Sequence, residues 1–170
     1  MTDQGDAWEQ RLAALWATLD DNDDADFVVK METLAAERGA GDAVALFERA
    51  AANDSTGRPH YAVPLYRQAL AAGLPGDRRR RAVIQLASSL RNVDQAAEAV
   101  TLLTAERDRT SDHLDDAVTA FLALALTDVG REREAAAMTL TALARHLPRY
   151  NRSLTNYAKA IKPKADAPQK

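Results

Sequence analysis

The chain has 170 residues, the size of one ordinary domain, with 46% apolar side chains but only 5% aromatics. Seven glycines and six prolines leave little material for the tight turns of an all-β fold, and no cysteine is present to build a disulfide framework, a thiolate zinc site or a cysteine nucleophile. The net charge of −3 disfavours a nucleic-acid binder and divides unevenly, since residues 1–60 carry 13 acids against 5 bases and residues 61–170 carry 12 against 17.

Alanine supplies much of the apolar fraction. It has the best intrinsic helix propensity and favours closely packed helices over a thick core, so the expected fold class is all-α. The N-terminus, MTDQGDAWEQ, has neither the basic start nor the apolar stretch of a signal peptide. No apolar run approaches the ~18 residues of a membrane span. The expectation is a soluble, cytoplasmic protein. The charge asymmetry has two readings: solvated helix faces, or complementary ends that steer head-to-tail self-association.

In chain order, Trp8, Leu12, Leu15, Trp16 and Leu19 have the spacing of one helical face, which predicts a first helix from Asp6 to Leu19. The run Asp20 to Asp26 ends it, with Asp24 or Asp26 capping a second helix over Phe27 to Arg38. As a calcium loop this run fails, because the twelfth position from Asp20 is Met31 rather than glutamate. Gly39 and Gly41 break the chain, and Asp42 is placed to cap a third helix.

From Ala43 onward the chain repeats. Aligned segments place Gly57, Asp94 and Gly130 at turns, Ala50, Ala87 and Ala123 in first helices, and Ala62, Ala99 and Ala135 in second helices. Each triple is spaced by 37 and then 36 residues. A period in the mid-thirties belongs to helix–turn–helix arrays. Small residues are needed where two helices cross closely, so these alanines mark the crossings, and Leu46, Leu65, Leu86, Leu103, Leu122 and Met138 fill the space around them. Gly73, Pro75 and Asp77 stop one repeat and cap the next. The boundaries read as an N-terminal helical pair at 1–40, three repeats at 41–76, 77–111 and 112–148, a capping helix at 149–162 and a disordered tail at 163–170. Pro64 falls inside a predicted helix, at a cost of ~3 kcal/mol unless it lies in the first turn.

The second helix of the first repeat, HYAVPLYRQAL, carries Ala62, Tyr66 and Ala69 at the spacing of the tetratricopeptide second helix. LYRQALAAGL, LPGDRRRRAVIQLASSLRN and FLALALTDVGRE resemble tetratricopeptide repeat proteins of the bacterial group 5, over residues 40–148. The resemblance implies a right-handed α-solenoid that binds a peptide or protein on its concave face, lined mainly by first helices. Carried onto this chain, the lining is Phe47, Ala51 and Asp54, then Arg81, Ile84, Ser88 and Arg91, then Ala120, Leu124 and Thr127. The clamp that some relatives use for a terminal carboxylate is not reproduced.

Arg81 and Arg91 lie about 15 Å apart along a helix, with Ile84 and Ser88 between them, a stripe suited to an extended acidic peptide. The run Arg78 to Arg81 is either a patch for an acidic partner or a solvated face neutralised by Asp77 and nearby acids. His60, His113 and His146 are too scattered for a metal site, and no phosphate loop or nucleophile elbow occurs. Trp8 and Trp16 read as the core of the N-terminal cap. The expected activity is a binding scaffold without catalysis or cofactor, its partner a protein or peptide of acidic character. Self-assembly and a regulatory role in transcription or signalling are the rival readings.

Overall fold

The computed structural model describes residues 2–161, with side chains from residue 7 onward. The tail expected at 163–170 lies outside the described residues. Nine α-helices and one 3-10 turn, with no strand, make up the described residues. They are α1 (Thr2–Trp16), α2 (Asp24–Ala36), α3 (Ala43–Ser55), α4 (Pro59–Ala71), α5 (Gly76–Arg91), α6 (Ala96–Arg109), α7 (Asp115–Asp128), α8 (Glu132–Ala144) and α9 (Asn151–Ile161). None of these helices is long and apolar enough to cross a membrane. The chain divides into two compact units, Met1–Ser89 and Leu90–Lys170.

Two helix starts differ from the sequence expectation. The acidic run forms a 3-10 turn at Leu19–Asp21, and the cap of α2 is Asp23, which accepts from the Ala25 N–H at 2.9 Å. Asp24 and Asp26 instead occupy the first turn, where carboxylates oppose the positive end of the helix dipole. Likewise α5 begins at Gly76, so Asp77 lies inside it rather than capping it. Asp42 does cap α3, accepting from the Ala45 N–H at 2.8 Å. Pro59 opens α4, where its missing N–H costs nothing, but Pro64 falls beyond the first turn, exposed and inside the helix.

The turns carry the repeat register most plainly. Gly57, Asp94 and Gly130 all take positive φ, at 71°, 61° and 75°. Across each turn a backbone N–H reaches back over the helix end: Arg58 to the Asn53 carbonyl, Gln95 to Leu90 and Arg131 to Leu126, each at 2.8 Å. This six-to-one bond closes a helix through a left-handed residue, the position glycine suits best. Asp94 fills it with a side chain that resists that conformation. Asp94→Gly should therefore raise the unfolding free energy by about 1 kcal/mol in denaturant titrations.

In the N-terminal unit, α1 lies on α2, α2 on α3 and α3 on α4. Trp8 is buried and donates its indole N–H to the Leu34 carbonyl at 3.0 Å, with the Arg38 guanidinium 4.7 Å from its ring centre. Trp16 packs on Phe27 at 5.2 Å between ring centres. Trp8 is thus core, as expected, whereas Trp16 is half-buried and reaches beyond the N-terminal pair to Glu48 of α3. In the C-terminal unit α6 packs on α7, α7 on α8 and α8 on α9. All six predicted crossing alanines are buried, Ala50, Ala62, Ala87 and Ala99 completely.

Candidate protein-binding surfaces

The ten residues assigned to a groove do not share one surface. Phe47 is fully buried, and Ala51 and Ile84 are 3% and 6% exposed. The Phe47 ring packs against Tyr66 at 6.1 Å on one side, while Arg81 stands over it at 5.4 Å. These three apolar side chains are core. Helix α3 is buried at nine of its 13 residues, around its whole circumference, and so offers no open row.

Asp54 is turned inward as well. One carboxylate oxygen accepts the Ser89 hydroxyl at 2.8 Å and the other faces the Tyr66 hydroxyl at 3.4 Å, which pins α3 to α4 and α5. Burial pushes the Asp54 pKa up, against both hydrogen bonds, and burial also raises that of Tyr66. A carboxyl whose folded pKa is raised adds stability that is complete below its unfolded value near 3.8 and is lost as pH climbs through the folded value. Asp54→Asn keeps the shape without the charge. The variant's stability relative to the parent should therefore grow as pH rises from about 4 to neutrality, a trend that paired denaturant titrations would read.

The arginine run is dispersed too. Arg78 bonds Glu9 at 2.6 Å and the buried Glu48 at 3.1 Å, and Arg80 is only 3% exposed. Only Arg81 of the four is exposed. The run is therefore not the solvated face expected from the sequence: Arg78 and Arg79 are half-buried, Arg80 is buried, and the acids that hold Arg78 come from distant sequence. Arg91 is half-buried and pairs with Asp128, so the Arg81–Arg91 stripe is broken by a buried Ile84 and an engaged guanidinium.

What stays on the surface is smaller. Ser88 is half-buried, and on α7 Ala120, Leu124 and Thr127 are exposed, Leu124 by 46%. Thr127 donates its hydroxyl to the Ala123 carbonyl at 2.9 Å, so this row presents mainly carbon. Val118, Leu122 and Leu126 on the same helix are buried, so α7 keeps an apolar side for the core and a second apolar strip for solvent.

Sequence reasoning missed two hollows, both on the second-helix side. In the N-terminal unit a groove of about 670 Å³ is walled by Tyr61, Pro64, Leu65 and Gln68 of α4, with the Arg49–Glu32 ion pair at 2.6 Å on its floor. Tyr61 is 67% exposed. In the C-terminal unit a groove of about 530 Å³ follows α8 and is edged by Arg107, Arg145 and Lys159. The available signal for the first was Tyr61-x-x-Pro64-Leu65, an apolar stripe beside the helical proline.

The tetratrico peptide repeat family profile matches residues 43–161. The chain belongs to the tetratricopeptide repeat family. No curated protein and no solved structure matches it. The matched span opens at the first residue of α3 and closes at the last residue of α9, so the tetratricopeptide register covers the three closed turns and the terminal helix. Tetratricopeptide repeats generally mediate protein–protein interactions, through surfaces that each member supplies for itself.

Proposed function

We propose that this tetratricopeptide protein is an interaction scaffold that holds a protein or peptide partner along the exposed parts of its first helices. In the C-terminal unit these are Ala120, Leu124 and Thr127; the N-terminal unit, taken by itself, offers the exposed Arg81 and the half-buried Ser88. The exposed Leu124 supports this most directly, because a large apolar side chain held in water between two small neighbours is a natural anchor. The Arg91–Asp128 pair lies at the end of the α7 row and can exchange its internal carboxylate for one from a partner.

Leu124→Glu tests the reading without touching the core. A partner captured by the parent chain and identified would be titrated against both forms by calorimetry. Affinity should fall at least tenfold with the melting temperature unchanged; equal affinity would remove α7 from the binding surface. The charge pattern favours a second reading, in which copies associate head to tail. Asp20, Asp21, Asp23, Asp24 and Asp26 are all exposed, whereas residues 135–165 contain no acid. Sedimentation would then show a mass that falls as salt rises.

A further inference from the structure

We propose that the groove along α8 docks an acidic segment of a partner protein, with one apolar side chain of that segment seated on Met138. This goes beyond the first-helix reading, since α8 is a second helix and the groove shares no residue with the α7 row.

The floor consists of Ala137, Met138 and Ala142, three α8 side chains of which two are too small to fill the space between neighbouring helices. Met138 is half-buried, and its unbranched thioether adapts to irregular apolar shapes. Thr141 and Thr155 stand beside this floor, but each donates its hydroxyl to its own helix, to the Ala137 and Asn151 carbonyls, both at 2.8 Å. Their methyl groups extend the apolar surface.

The rim is cationic. Arg107 comes from α6, Arg145 follows α8, and Lys159 projects from α9; all three are exposed. Glu134 is the one carboxylate in the lining, and it holds Arg131 at 2.7 Å. Arg107 now bonds Asp108, and Arg145 bonds Asp116, which also faces His146. Exposed pairs of this kind are weak, so a partner's carboxylates can replace them at little cost. From Ala135 to Ala165 the chain has six lysines and arginines and no acid, so the acids of α8 are confined to its first turn, Glu132 and Glu134, and α9 has none. No aromatic ring lines the groove, which removes the stacking platform a single-stranded nucleic acid would need. An apolar seat with a positive rim fits a leucine or phenylalanine flanked by glutamates or aspartates.

The full chain labelled with ¹³C at its methionine methyls carries a reporter in the groove, Met138, and an internal reference, the fully buried Met31 of α2. A synthetic peptide with a central leucine between glutamates should move the Met138 signal saturably and leave Met31 in place. Replacing that leucine with serine, or introducing Arg145→Glu with Lys159→Glu, should weaken the titration at least tenfold, with a thermal melt of the variant that matches the parent's showing that the fold persists. The proposal fails if Met138 does not respond, if serine serves as well as leucine, or if the charge reversals change nothing. It fails equally if a lysine-flanked peptide or an oligothymidylate binds as tightly. A Leu124→Glu chain gives the same Met138 response whether or not the α7 reading holds, so the two ideas stand or fall separately.

Discussion

Replacing Phe47 with alanine should lower the unfolding free energy by about 3–5 kcal/mol, measured by denaturant titration. The ring is fully buried between Tyr66 and the Arg81 guanidinium. Its removal forfeits the transfer energy of an aromatic side chain and leaves a cavity that α3, packed on every side, has little freedom to close. The result separates two roles that a helical face in sequence cannot distinguish. A groove residue would lose partner affinity and keep its stability, as Leu124 should. A loss under about 1 kcal/mol at Phe47 would mean that the α3 register is wrong.

Glu48→Ala should cost about 2–4 kcal/mol, for a different reason. Glu48 is 4% exposed, and its two oxygens accept the Trp16 indole N–H at 2.8 Å and the Arg78 guanidinium at 3.1 Å. Deleting the carboxylate strands a partly buried cation and an indole donor. Burial acts to lower the Arg78 pKa, but Glu9 and Glu48 outweigh it and raise the value overall. The Glu9 contact survives in the variant and Arg78 keeps some exposure, which places the expected loss at the lower part of the range for broken buried pairs. Glu48→Gln keeps the acceptor and should recover a large share of the loss. If Glu48→Ala melts with the parent, the Trp16–Glu48–Arg78 chain contributes nothing to the fold.

The helices and their register were legible because they rest on local chemistry. Alanine at fixed offsets, glycine or aspartate at each turn and Asp42 before an apolar run are all short-range signals, and each has its counterpart in the structure. The surface was not legible for the complementary reason. Whether Phe47 or Ile84 faces solvent depends on what covers it, and the covering residues lie far away in sequence. A closer reading of α3 held one clue, since AVALF followed by AAAN is apolar around the whole helix and so predicts burial on all sides. Glu48 carried no such clue. Its partners Trp16 and Arg78 lie 32 and 30 residues away, on other helices.

At two of the three turns the constraint is one of angle alone. A side chain built at Gly57 or Gly130 would meet no atom within 4 Å, although the backbone there is left-handed. The crossing alanines are the opposite case, tolerant in backbone and closed in space. New sequence can therefore enter this protein at these two glycines far more readily than at the crossings. A tag inserted at either glycine would project into open solvent. A stretch of 36 residues copied from one turn to the next would carry a helix pair and add one closing bond, the step by which such a chain can be lengthened without redesigning its core.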